Sequence, residues 1–426
     1  MRSKASFHIK DVSLCKQQML NWANRFSICC FMDSHHYKDD YSVYDCIVAA
    51  GAAEVCLPND NNLLSLQAFT QKHNDWLFGH VGYDLKNEIE NLSSLHDDHL
   101  QFPDLFFFQP EVVLYIQYDE IIIESLYREA KDIYLEIVES NIDINNFSAN
   151  NIGIQSRIER DKYVTIIAQL KEHILRGDCY EINFCQEFFA EHADINPLHV
   201  YQQLSTLSPS PFGAFYKLDD KYVLCASPER FMKKQAQRLI SQPMKGTAKR
   251  ILDNVKLDNE EKQRLQHSLK DRTENVMIAD LVRNDMSRIC LRDSVKVAEL
   301  FGVYSYPQVH QMITTIEGKV DKEINIAGVL QAMFPMGSMT GAPKRKVIEL
   351  IEQYEQSKRG LYSGSLGYIT PSNNWDFTVV IRSILYNKSH QYLSFQVGSA
   401  ITWGSNAEDE YQECLVKAKA IIEVLK

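Results

Sequence analysis

The chain has 426 residues, of which 45% are hydrophobic and 24% charged, and a formal net charge of −11. This is the balance of a globular protein with material for a large core, and the acidic excess argues against nucleic acid or an anionic membrane as the main partner, though not against a small anion held in a local pocket. No apolar run approaches the roughly 18 residues that span a bilayer, the start lacks an apolar signal segment, and the ten cysteines form no C-x-x-C pair, so a reducing, cytoplasmic setting without disulfides or zinc is expected.

In chain order, the first 140 or so residues alternate helical and strand signals. Pro103 to Ser125 is dense in aromatic and β-branched residues and reads as strands turning near Tyr118-Asp119-Glu120. The polar, Asn-rich stretch from Asn141 to Ser156 reads as a linker. Beyond it, apolar residues at helical spacing predict a helix from Asp161 to Arg176, closed by Gly177. Strands are predicted for Asp178 to Phe189, Lys221 to Ser227 and Arg238 to Ser241. One long helix, unbroken by Gly or Pro, is predicted from Asp258 to Arg288. Leu361 to Leu385 reads as strands with a turn at Pro371 to Asn374, and Asn406 to Lys426 as a closing amphipathic helix. Strands and helices come in groups rather than in strict β-α-β order, which predicts an α+β fold.

Four features could carry chemistry. Asp271 and Glu274 lie three apart on a predicted helix, and Glu410 and Glu413 repeat that spacing on the last one. Each pair shares a helix face; each is either a solvated face or, if the two pairs meet, a site for a hard cation with oxygen ligands. Phe334 to Lys346 (FPMGSMTGAPKRK) has glycines just before a helix, which is either a tight connection or an anion-receiving turn; it lacks the order of a phosphate-binding loop. Lys245, flanked by turn residues, is either a solvated charge or, if buried beside another cation, a neutral amine nucleophile. Glu229, at the end of a strand, is either paired with Arg230 or kept protonated by desolvation as a general acid. No nucleophile elbow, zinc-protease motif or dinucleotide fingerprint is present, and no glutaminase-type cysteine.

Together the segments GDCYEINFCQ, ASPERF, PMKGT, ENVMIADLVRND, FPMGSMTGAPK, RGLYSGSLGY, VVIRS and EDEYQE, between Gly177 and Glu413, resemble in order and spacing the chorismate-binding enzymes, the family of anthranilate synthase component I. WLFGHVGYDLK, at Trp76 to Lys86, resembles the N-terminal part of its amine-introducing members. The resemblance implies two antiparallel sheets in a β-sandwich core with helices outside. It divides the chain into an N-terminal region, 1–140, and a chorismate-binding catalytic region, 157–426, packed as one compact unit.

The resemblance also implies roles. Glu274 and Glu413 match direct Mg²⁺ ligands, and Asp271 and Glu410 their outer-shell partners. Arg382 and Tyr362 match positions that hold the enolpyruvyl carboxylate, and Lys417 should reach the substrate anion. Ser338 matches a residue contacting the carbon 4 oxygen. Lys245 stands where the anthranilate-forming branch carries Ala, and the resemblance implies that its amine attacks carbon 2 of chorismate while Glu229 protonates the departing carbon 4 hydroxyl. Mg²⁺ and neighbouring cations are expected to lower the Lys245 pKa. Asn183 stands where the water-adding branches carry a basic Lys.

The expected reaction is therefore amination of chorismate at carbon 4 to 4-amino-4-deoxychorismate, with ammonia supplied by a glutamine amidotransferase subunit. The alternatives are anthranilate formation and, further off, isochorismate or salicylate formation. His310 precedes the register where many relatives carry His; Gln311 occupies that register, and His310 is given a weak supporting role or none.

Overall fold

The computed structural model describes residues 2–37, 40–57, 61–140, 152–306 and 309–426. Of the expected linker, residues 141–151 lie outside this description. By Gln155–Ser156 the chain is already paired with Phe188 and Phe189.

Two antiparallel sheets build the core. The first runs in the order Ser3–His8, Glu120–Ser125, Leu105–Gln117, Cys46–Cys56, Ile28–Asp33, Phe212–Leu218, Lys221–Ser227, Ser383–Asn387, Tyr392–Ile401, Glu181–Ala190. The start of the long strand Leu105–Gln117 also pairs with Leu77–Val81, which opens the second sheet. That sheet continues through Ser365–Ile369, Trp375–Val379, Arg230–Gln235 and Arg238–Ser241 to Val309–Lys319. Met244–Lys249 follows Arg238–Ser241 along one edge of that strand, and Lys296–Ser305 lies on the other. The α+β reading, with two antiparallel sheets in a sandwich, is what is observed.

Period-two alternation sorts side chains between two cores, because successive residues of a strand point to opposite faces. Cys30 faces the interior between the sheets, with Phe107, Val223, Phe231, Leu366 and Phe377. Its neighbours Cys29 and Phe31 face the other side, where helices cover the first sheet. The closing helix Ala407–Val424 seals that side with Cys414, Ala418 and Ile421; each fully buried Ile or Leu there contributes about 1.5–3 kcal/mol. Asn406 caps it, its side chain accepting from the backbone N–H groups of Glu408 and Asp409.

The hairpin expected at Tyr118 to Glu120 lies between Leu105–Gln117 and Glu120–Ser125, with Tyr118 at φ 56°. The expected helix over 161–176 is Arg160–Leu175. The long helix expected over 258–288 is instead two, Val255–His267 and Leu269–Ser287. Ser268 between them is extended at ψ 117°, and its hydroxyl accepts from the Asp271 N–H. A serine interrupts here because its side chain caps a new first turn, and that turn carries Asp271.

Candidate active site

Two of the places where the chain passes from one sheet to the other carry a polar side chain. Between Lys221–Ser227 of the first sheet and Arg230–Gln235 of the second stands Glu229. Between Trp375–Val379 of the second and Ser383–Asn387 of the first stands Arg382, whose backbone takes φ 52°. The crossings are tied together: the Val379 N–H donates to the Glu229 carbonyl at 3.0 Å, and the Ala226 N–H to that of Arg382 at 3.2 Å.

Beside these crossings lies a cavity of about 600 Å³, within the ~300–1,000 Å³ range of small-ligand sites. All eleven residues singled out from the sequence line it: Asn183, Glu229, Lys245, Asp271, Glu274, Ser338, Tyr362, Arg382, Glu410, Glu413 and Lys417. They come from both sheets, two helices and four connecting segments, and span 235 positions of the chain.

Glu229 is 4% exposed, and burial pushes its carboxyl up to about 7, against the lowering pull of Ser338 and Lys245. The Ser338 hydroxyl donates to its Oε1 at 2.6 Å. Arg230 does not neutralise it; that guanidinium pairs with Asp376 at 3.0 Å and with Gln242. A carboxyl group that titrates near neutrality in a cavity can serve as a general acid.

Lys245 departs from expectation. Burial pulls its ammonium toward the neutral form, but the nearby carboxylates of Glu181, Glu274 and Glu229 outweigh this, and the net shift is upward. Its Nζ lies 2.8 Å from Oε1 of Glu181, a side chain with no exposed surface. Glu181 was not singled out from the sequence. The signal was there: it lies two residues before Asn183 on one strand, so both project to the same face. Asn183 itself is turned to the Cys185 thiol, at 3.3 Å.

The acidic pairs do share the cavity. Glu274 is 8% exposed, burial raises its carboxyl to about 7, and its Oε1 is buried without a hydrogen-bond partner. Burial also raises Glu410. Glu413 opens to the cavity with 46% of its side-chain surface exposed; burial by the walls raises its carboxyl, but Lys417, at 2.6 Å, and Lys270 bring it below the usual value. Lys270 sits 3.9 Å from Glu274 and 3.8 Å from Glu410. Among the described residues no three His, Cys, Asp or Glu side chains form a ready-made cation cage. An orphaned carboxylate oxygen with further acids nearby suits Mg²⁺, which binds through one or two carboxylates and completes its shell with water and substrate oxygens.

Tyr362, also in the lining, is 4% exposed, its hydroxyl 3.7 Å from the Cys185 thiol. Burial holds the Arg382 pKa below its usual value, and among the described residues its guanidinium makes one hydrogen bond, a 3.5 Å contact to the Lys417 carbonyl. A cation so weakly compensated attracts a carboxylate. Lys417 also donates to the Gly398 carbonyl at 2.7 Å. His310 is 1% exposed and does not line the cavity; it contacts Asp258 at 3.2 Å and Ser305 at 2.9 Å. Gln311 does line it, accepting a bond from Thr247 at 2.9 Å.

The glycine-rich loop is tied into the fold on both sides of its helix start. It is a buried connection: Lys344 pairs with Asp285 at 2.6 Å, and Gly341 pairs with Ile182. Gly341 has φ +140°, and a Cβ there would meet the Glu181 carbonyl at 2.1 Å, so only glycine fits. Arg359, also missed, is 2% exposed. It pairs with Glu355 and donates to the carbonyls of Met339 and Asn183, at 2.7 and 2.9 Å, so it clamps the loop to the strand.

Comparison with known proteins gives the same site a context. A family model described as chorismate binding enzyme matches residues 33–423. Aminodeoxychorismate synthase component 1 of Salmonella typhimurium is 32% identical over 82% of this chain and 76% of its own. Anthranilate synthase component 1 of Saccharolobus solfataricus is 31% identical over 81% and 79%. In structure, anthranilate synthase component I of Streptococcus pneumoniae superposes with a TM-score of 0.77 at 23% identity, covering 91% of this chain and 95% of that one. No helix among the described residues is long and apolar enough to cross a membrane.

Proposed function

Since the chain belongs to the chorismate binding enzyme family, we propose that it aminates chorismate at carbon 4, giving 4-amino-4-deoxychorismate, the precursor of 4-aminobenzoate. The observation that carries this reading is the buried amine of Lys245 in one cavity with the neutral-range acid Glu229. An anthranilate-forming site needs no lysine nucleophile.

In this reading Arg382 and Tyr362 hold the enolpyruvyl carboxylate, with Lys417 drawn toward the substrate's negative charge. The Lys245 amine attacks carbon 2, the two ring double bonds shift, and the carbon 4 oxygen leaves with a proton from Glu229. Ser338 lies against that proton donor, where it can also steady the departing oxygen. Ammonia then attacks carbon 4, the double bonds shift back, and Lys245 is released. Glu274 and Glu413 would hold Mg²⁺, with Asp271 and Glu410 outside them; when bound, the ion would supply charge neutralisation for the ring carboxylate and polarise the ring. The sequence carries no glutaminase-type cysteine motif, so ammonia is assigned to an amidotransferase partner.

The near-equal identity to an anthranilate synthase keeps that activity as the competing reading. Incubation with chorismate, Mg²⁺ and ammonium, followed by mass analysis of the products, tests both. Aminodeoxychorismate is the expected product; anthranilate with pyruvate would replace this reading by its competitor.

A further inference from the structure

We infer that Glu181 orients Lys245 and accepts the proton that its ammonium group must lose before it can attack. This rests on the amination reading above and adds to it the group that generates the nucleophile.

The placement is specific. Glu181 has no exposed side-chain surface, and its Oε1 lies 2.8 Å from Nζ of Lys245. Both of its carboxylate oxygens are buried, and neither accepts a hydrogen bond of good geometry; Oε1 has only the lysine ion pair and Oε2 is left open to carry a proton. The backbone beneath it is held: Glu181 pairs with Ala342, its carbonyl lies where a side chain at Gly341 would clash, and the neighbouring Tyr180 N–H donates to the Ala342 carbonyl at 2.8 Å. A carboxylate buried this deeply for stability alone is poorly chosen, because an apolar pair of similar volume would serve as well or better. The other charged groups facing Lys245 are Glu274, Glu229 and Glu413. Glu229 is assigned the leaving oxygen, and the other two are assigned the metal, which leaves Glu181 as the acceptor.

The protons balance. Lys245 Nζ gives a proton to Glu181 and, as a free amine, forms its bond to carbon 2. The carbon 4–oxygen bond breaks with its electron pair, and the oxygen takes the Glu229 proton and leaves as water. The adduct nitrogen now carries two hydrogens and a positive charge. When ammonia bonds to carbon 4, the carbon 2–nitrogen bond breaks with its pair going to Lys245, which leaves as a neutral amine. Glu181 returns the proton, the ion pair is restored, and solvent reprotonates Glu229.

The test compares the full chain with Glu181→Gln and Glu181→Asp, using chorismate, Mg²⁺ and ammonium from pH 6 to 9 and reading aminodeoxychorismate formation. Loss of a positioned base lowers rates by about 100-fold or more. Glu181→Gln is expected to lose that much, with a residual rate that climbs relative to the parent as pH rises, because solvent must then remove the proton. Glu181→Asp is expected to restore part of the rate and of the parent's pH profile. Thermal melting shows which variants fold; if Glu181→Gln does not, the pH profile of Glu181→Asp decides. A Glu181→Gln enzyme within about twofold of the parent throughout overturns the inference, as does a loss that is uniform with pH and not relieved by Asp. If the unaltered chain makes no aminodeoxychorismate, the amination reading itself fails.

Discussion

The Ser338 hydroxyl donates a 2.6 Å hydrogen bond to Oε1 of Glu229, joining the glycine-rich loop to the point where the chain passes between sheets. That bond favours the charged carboxylate, while burial, the larger effect, favours the neutral acid and sets its pKa at about 7.

The balance predicts a pH profile. Glu229 must hold a proton to give it to the leaving oxygen, so amination should fall as pH rises through about 7. Ser338→Ala removes a contact that lowers the pKa. The falling limb should therefore move to higher pH, even as the maximal rate drops. Initial rates across pH 5.5–9.5 check both; a limb that stays in place or moves down contradicts the role given to this bond.

Lys245→Ala should abolish amination and also weaken the fold, because it strands the Glu181 carboxylate without its partner. Breaking a buried pair on one side costs about 3–5 kcal/mol. The double change Lys245→Met with Glu181→Leu should melt well above Lys245→Ala while remaining equally inactive. Denaturant unfolding compares them.

Mg²⁺ dependence should respond in opposite directions to two changes. Glu413→Gln removes a proposed ligand and should raise the Mg²⁺ concentration for half-maximal rate by tenfold or more, on the order of a lost charged contact. Lys270→Met removes a positive charge 3.9 Å from Glu274 and 3.8 Å from Glu410, and should lower that concentration a few-fold, a small effect because the lysine is largely exposed. Chelator-treated protein titrated with Mg²⁺, with binding followed by calorimetry, reads both.

Arg359→Leu should cost both stability and activity. It would leave Glu355 buried and unpaired and free the carbonyls of Met339 and Asn183, a loss of about 3–5 kcal/mol. Rate and melting point should fall together, in contrast to Lys245→Met with Glu181→Leu, where the fold survives and the chemistry does not.

Much of this was legible in the chain itself. Density of aromatic and β-branched residues marked the strands between Pro103 and Ser125, and the spacing of Asp271 with Glu274 and of Glu410 with Glu413 put each pair on one helix face. Those are local consequences of strand propensity and helix period, and local rules read them. The motif order named the family, and the eleven residues drawn from it line one cavity. The break at Ser268 was missed because a serine can sit within a helix or cap a new one, and the choice depends on where Asp271 must be delivered.

What the tertiary structure alone decided is the electrostatics. The lysine was expected to lose its charge to nearby cations; instead Glu181, from the edge of the other sheet, holds that charge in place. Glu229 was free to pair with Arg230, yet Asp376 takes the guanidinium and leaves the acid near neutrality. Sequence sets which groups exist and how they repeat along an element. Burial and distance set their charge, and both depend on contacts between residues far apart in the chain, which no local period encodes.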